Sequence, residues 1–83
     1  MTDLARNPRQ LGNIIRNARR HRGWNQTQLG DKAGLRQETI SLLESGNPAT
    51  KIDTILSVIA ALDLEIQVTP RSKAPISAVE DIF

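Results

Sequence analysis

Arg36, Gln37, Glu38 and Ser41 fall within six consecutive positions, and each carries a group that can meet the edge of a base. A guanidinium pairs bidentately with guanine O6 and N7, a carboxamide suits adenine N6 and N7, and a hydroxyl serves several bases. Glu38 keeps two readings: it accepts from cytosine N4, or it complements the positive end of a helix that starts beside it. Around this set lie residues suited to a sugar-phosphate backbone, namely Asn25, Gln26, Arg20, Lys32, Thr39 and Lys51. Gln26 stands in the first turn of a helix, where free N–H groups and the helix dipole favour an anion. Lys51 follows the loop Gly46-Asn47-Pro48-Ala49, whose backbone N–H groups can also meet a phosphate. Catalysis has little to build on. The chain has one histidine, His21, and no cysteine, so no metal cluster, cysteine nucleophile or Ser/His/Asp set can be assembled, and it has no glycine-rich phosphate loop. The expectation is no enzyme, no metal and no cofactor.

Presenting such side chains takes two short helices that cross steeply. With Gln26 counted as position one, Leu29, Ala33, Leu35, Ile40 and Leu43 put apolar residues at positions four, eight, ten, fifteen and eighteen, with Gly30 at five and Gly34 at nine. Two helices at such an angle share one apolar wedge and tolerate only a small residue at their closest approach, here Gly30. The turn between them needs a positive φ, which glycine accepts freely, and Gly34 stands there. Asn25 caps the first helix of the pair, with Gln28 as its capping-box partner. The second spans about Gln37 to Ser45 and is closed by Gly46. Ile40 and Leu43 must point inward, which turns Gln37, Glu38 and Ser41 outward. Arg36 precedes this helix and cannot accept a capping hydrogen bond. Either backbone or water caps the helix, or Arg36 is kept for guanine.

Further helices complete the frame. The first opens at Asn7 as N-cap, with Pro8 at its first position and Gln10 placed for a capping box, and runs to about His21. Leu11, Ile14, Ile15 and Ala18 form its buried stripe, leaving Arg16, Arg20 and Arg22 for solvent or phosphate. Gly23 stops it, and Trp24 staples the next helix rather than stacking on a base. Thr50 is expected to cap a fourth helix with Asp53 as acidic partner, and Ile52, Ile55, Leu56, Ile59, Ala60 and Leu62 supply its core face. Leu64, Ile66 and Val68 then alternate with Glu65, Gln67 and Thr69, which reads as a half-buried strand ended by Pro70. A lone strand needs backbone partners, and the same strand of a second copy about a two-fold axis supplies them. The competing reading is a fifth helix.

From Asn7 to about Leu62 the chain resembles the lambda-repressor-like (Cro/C1-type, XRE) DNA-binding domains, through the phrases IIRNARRHRGWNQTQLGDKAG and QETISLLESG. The following run, KIDTILSVIAALDLEIQV, is most similar to HipB-type antitoxins, which repress their own operon and bind a HipA-type kinase toxin. The resemblance implies an all-α fold, a helix-turn-helix domain of four main helices plus one C-terminal strand that forms an intersubunit sheet in a homodimer. It implies an ion pair between Arg19 and Glu44, a phosphate held by Gln26, and dimerisation through Leu64, Ile66 and Val68. The residue before the recognition helix is usually Ser or Thr in the wider family, whereas HipB-like antitoxins often carry a basic residue there, which favours a base-reading Arg36. The implied partners are a palindromic double-stranded operator, a second copy of the chain and a HipA-type toxin. A stand-alone phage-type repressor and a protein-interaction adaptor on the same scaffold are the alternatives.

Composition agrees with one small domain. At 83 residues and 39% hydrophobic content, there is room for a modest core and none for a separate sensor or catalytic unit. The expected layout is an N-terminal arm over residues 1–6, a DNA-binding domain over 7–63, a dimerisation strand over 64–69 and a partner-binding tail over 70–83. Residues 1–36 hold eight Lys/Arg against two acids, and residues 37–83 hold three against seven. That asymmetry suggests a basic face for a polyanion and an acidic surface for something else. The tail places Ile76, Val79 and Phe83 at near-helical spacing with Glu80 and Asp81 between them, either a short partner-binding element or an unstructured end. The start lacks the apolar centre of a signal peptide, and the longest apolar run, Ile55 to Leu64, is broken by Ser57 and Asp63. With no cysteine to suggest an oxidising compartment, a cytoplasmic protein that does not enter membranes is expected.

Overall fold

Asn7 begins the first helix as its spacing predicts: its side-chain oxygen accepts from the Gln10 N–H at 2.8 Å, and Pro8 fills the first turn. The Gln10 side chain reaches back one residue further than a capping box would, to the Arg6 N–H at 2.8 Å. In the computed structural model, which describes residues 3–71, the elements are α1 (Pro8–His21), α2 (Gln26–Ala33), α3 (Gln37–Glu44) and α4 (Ile52–Ala61). One core joins them. Ile15 of α1, Leu29 of α2, Ile40 and Leu43 of α3, Val58 and Ile59 of α4, and Leu62 at the end of α4 as its C-cap are all buried. Leu11, Ala18, Trp24, Ala33, Leu35 and Ile55 pack around that group. No described helix is long and apolar enough to cross a membrane.

Two expectations for α4 need correction. Thr50 does not cap it: the N-cap is Lys51, without a side-chain cap, and the Thr50 hydroxyl instead donates to the Asn47 carbonyl at 3.0 Å, closing the preceding loop. The core face is also narrower. Ile55, Val58, Ile59 and Leu62 recur at i, i+3, i+4 and i+7 and form the inward stripe, whereas Ile52 is 66% and Leu56 49% exposed and Ala60 is exposed too. Val58, fully buried, belongs to that stripe, and a face drawn from Ile52 to Ala60 spans more of the helix than one neighbour can cover.

Residues 64–70 form neither a helix nor a ladder within the chain, so the fifth-helix reading does not hold over these residues. Leu64, Ile66 and Val68 are left 39%, 49% and 98% exposed. Together with Leu4, Leu11, Ile14, Ile52 and Ile55 they border a groove of about 730 Å³. The stretch over residues 76–83, read as either a partner-binding element or an unstructured end, lies outside the described residues.

Candidate nucleic-acid interface

The crossing of α2 and α3 depends on two glycines. A Cβ on Gly30 would stand 2.6 Å from the Leu35 carbonyl oxygen, a distance no real Cβ adopts, so the turn can pass this close only over a hydrogen. Gly34 has φ +71° and ends α2 in the left-handed conformation. The Leu35 N–H donates to the Gly30 carbonyl at 2.8 Å, which secures the turn just before α3.

α2 starts on a complete capping box: Asn25 Oδ1 accepts from the Gln28 N–H and Gln28 Oε1 from the Asn25 N–H, both at 2.8 Å. The Asn25 oxygen is therefore committed to the helix. α3 starts at Arg36 with extended backbone and no side-chain cap. Arg36, Gln37, Glu38 and Ser41 are all exposed, while Thr39 is half-buried. Gln37, Glu38 and Ser41 thus share the open side of α3, away from Ile40 and Leu43, with Arg36 exposed just before its first turn.

The inner end of α3 is tied to α1. Arg19 Nε donates to Glu44 Oε2 at 2.7 Å and Arg19 Nη2 to Oε1 at 3.0 Å, a bidentate pair in which the carboxylate is fully buried. Arg19 Nη1 also donates to the Trp24 carbonyl at 2.8 Å. Arg16, expected to face solvent or phosphate, is half-buried, with Nε 3.5 Å from Glu44 Oε1 and Nη2 3.4 Å from the Glu44 carbonyl. Burial, the largest single influence, pushes the Glu44 carboxyl up. Hydrogen bonds from Arg19 and Gln26, with the charges of Arg19 and Arg16, outweigh it and hold the pKa below the ordinary glutamate value.

Sequence reasoning did not anticipate a chain of bonds that runs outward from this pair. Gln26 Nε2 donates to Glu44 Oε1 at 3.2 Å, and Gln37 Nε2 donates to Gln26 Oε1 at 2.6 Å. Gly12 was also missed. A Cβ there would stand 2.6 Å from both the Leu43 and Glu44 carbonyl oxygens. The signal was present, since Gly12, Arg16 and Arg19 recur at i, i+4 and i+7 and so share one face of α1.

The remaining backbone candidates are distributed around this face. Arg20 and Lys51 are exposed. Lys32 is exposed with its ammonium 5.0 Å from the centre of the Trp24 ring, whose other neighbour, the Arg22 guanidinium, is 5.2 Å away. Arg22 also donates to the Leu62 carbonyl at 3.0 Å, so it pins the end of α4 to α1. Trp24 itself is half-buried against the core. Among the described residues no group of three or more His, Asp or Glu is arranged to hold a metal ion.

A two-helix unit with a glycine-paced turn, standing on a buried ion pair and presenting polar side chains outward, defines the helix-turn-helix class, and the model of the family described as "Helix-turn-helix" matches residues 15–68. Antitoxin HipB of Escherichia coli O6:H1 (strain CFT073) is 32% identical over 73 residues, covering 88% of this chain and 78% of that protein. The solved HipB-O4 20mer complex superposes with a TM-score of 0.78 at 29% identity, over 87% of this chain and 100% of that one. A HipA-HipB-O2-O3 complex gives 0.76 at 32% identity, again over 87% and 100%. The chain belongs to the HipB antitoxin family of helix-turn-helix proteins.

Proposed function

We propose that this protein is a sequence-specific DNA-binding repressor and the antitoxin of a HipA-type toxin, acting as a homodimer in the cytoplasm on a palindromic operator that controls its own operon. The observation that carries this reading is the open side of α3. Gln37, Glu38 and Ser41 are exposed together on a helix whose opposite side is locked into the core, and Arg36 is exposed at the residue that precedes it. The relatives support it, since one solved complex holds HipB with an O4 20mer and another holds HipA with HipB, O2 and O3.

Arg36, Gln37, Glu38 and Ser41 read base edges, and Asn25, Gln26, Arg20, Lys32, Thr39 and Lys51 serve the phosphate backbone. Asn25 does so through its free NH2, its oxygen being used in the cap. Leu64, Ile66 and Val68 pair with the same segment of a second copy, which covers apolar side chains that one chain leaves in water. Two recognition helices then face successive major grooves roughly 34 Å apart. The 7–63 unit binds DNA, 64–69 dimerises, and the ends over 1–6 and 70–83 are left for an arm and for toxin binding. Catalysis has no part in this reading.

The test is fluorescence anisotropy on DNA from upstream of the gene and on scrambled DNA, across a salt series. A preference on the order of 10³ or more with a steep salt slope is the expected result. Equal, weak binding to both overturns self-repression and favours an adaptor. Co-purification with the product of an adjacent gene is expected of an antitoxin, and a lone dimer points to a stand-alone repressor.

A further inference from the structure

A carboxylate gripped by two arginines has no proton to give and can only accept. The Gln26 group that lies 3.2 Å from Glu44 Oε1 is therefore its NH2, and the Gln26 oxygen must face the other way, toward Gln37. The Gln37 group 2.6 Å from that oxygen is in turn its NH2. A glutamine carboxamide has no intrinsic preference for either orientation. Here the orientation of both follows from one buried charge.

We infer that Glu44 is a positioning residue for base recognition: through Gln26 it fixes which way round the exposed Gln37 carboxamide faces the DNA. The inference rests on the DNA-reading role proposed above. With one N–H given to Gln26, Gln37 keeps an N–H on the Gln26 side and an oxygen on the far side. That order matches adenine N7 and N6 read in one direction across the groove. Exchanging A·T for T·A reverses the order that the pair presents, so a carboxamide of fixed polarity distinguishes them. A carboxamide free to turn over does so poorly. The ion pair, which would otherwise be a purely structural tie, thus also sets a base preference on the surface.

The test first locates the base pair at which Gln37→Ala removes the preference for A·T over T·A. Gln26→Met, which deletes the middle of the chain, and Glu44→Gln, whose NH2 permits the reversed order, are then titrated on both duplexes by anisotropy. The wild-type ratio is expected to be on the order of tenfold or more, and both variants should bring it close to one. A merely structural role lowers affinity for both duplexes alike and leaves the ratio in place. An unchanged ratio in Gln26→Met, with helical circular dichroism intact, overturns the inference even if Glu44→Gln fails to fold. Nitrogen-15 NMR of the free protein separates this outcome from failure of the DNA-binding reading. The Gln37 NH2 resonances should move on Gln26→Met, and unmoved resonances overturn the chain of bonds itself. Moved resonances in a protein that binds no specific DNA leave the orienting role of Glu44 standing and overturn its role in base reading.

Discussion

α2 and α3 are both eight residues long, too short to be stable alone in water, and they are held in opposite ways. α2 is held at its start by its own residues, Asn25 and Gln28, and at its end by Gly34. α3 has no side-chain cap at its start and is held at its end, where Glu44 meets Arg19 and the last carbonyls lie against Gly12. The difference shows how one motif divides its labour. Capping groups are kept away from the end of α3 that presents Arg36 and Gln37, so the Arg36 side chain has no capping duty and the bond on Gln37 is the one to Gln26 that orients it. The cost falls on the far end, where a buried charge and a glycine must do the anchoring.

Removing that anchor gives the largest effect. Glu44→Ala leaves buried Arg19, a residue only 8% exposed, without its partner carboxylate, which costs about 3–5 kcal/mol. That is a large share of the stability, about 4–12 kcal/mol, that a domain of this size holds. Thermal melts followed by circular dichroism should show a melting temperature lowered by roughly 15 °C or more, and a melt close to wild type would refute the account of α3 as held from its end.

Acid weakens the same anchor without a mutation. The Glu44 carboxyl has a folded pKa below the ordinary glutamate value of 4.5, so folding favours its ionised form. The stabilisation is complete above that ordinary value and is lost as pH falls through the lower folded one. Melting temperatures measured from pH 6 to pH 2 should fall in this acid range, and part of that fall should vanish in Glu44→Gln. An identical acid profile in the variant would place the sensitivity elsewhere.

How much of this was legible beforehand follows the same division. Local rules sufficed for α2: Asn25, Gln28, Gly30 and Gly34 are read from spacing alone, because capping and close packing leave fixed offsets. The end of α3 was legible only in part. The resemblance implied Arg19 opposite Glu44, but Gly12 and the Gln26–Glu44 bond involve residues 18 or more positions apart, and no local pattern encodes which distant carbonyl a glycine must accommodate. Thr50 was misread for the reverse reason. Thr50 and Asp53 satisfy the local capping rule, but the hydroxyl found the Asn47 carbonyl first. In α4 the period was visible, but its phase was set by contact with the rest of the core, which is why Val58 was left out and Ile52 included.

At the start of α2 the expected effect is smaller. Asn25→Ala removes the side-chain oxygen from the Gln28 N–H and should cost ~1 kcal/mol, measured by urea denaturation. Because Glu44 and the core still hold α3, the loss should stay well below that of Glu44→Ala. Equal losses from the two variants would erase the distinction between the helices.

The smallest change in stability should come from supplying the cap that α3 lacks. Asn accepts a hydrogen bond from the N–H groups of a first turn, and the extended backbone at Arg36, φ −77° and ψ 153°, is the conformation an N-cap residue adopts. Arg36→Asn should therefore raise stability by roughly 0.5 kcal/mol or slightly more, while weakening binding to the operator on the order of tenfold. How that loss is distributed identifies the role of the guanidinium. If Arg36 reads guanine, the loss is confined to one base pair in each half-site and the salt slope is unchanged. If it grips a phosphate, affinity falls evenly on all sequences and the salt slope shrinks by about one ion. A more stable protein with poorer recognition would show that the missing cap is a compromise in favour of binding, and a less stable one would show that Arg36 supports α3 in a way its exposed side chain does not reveal.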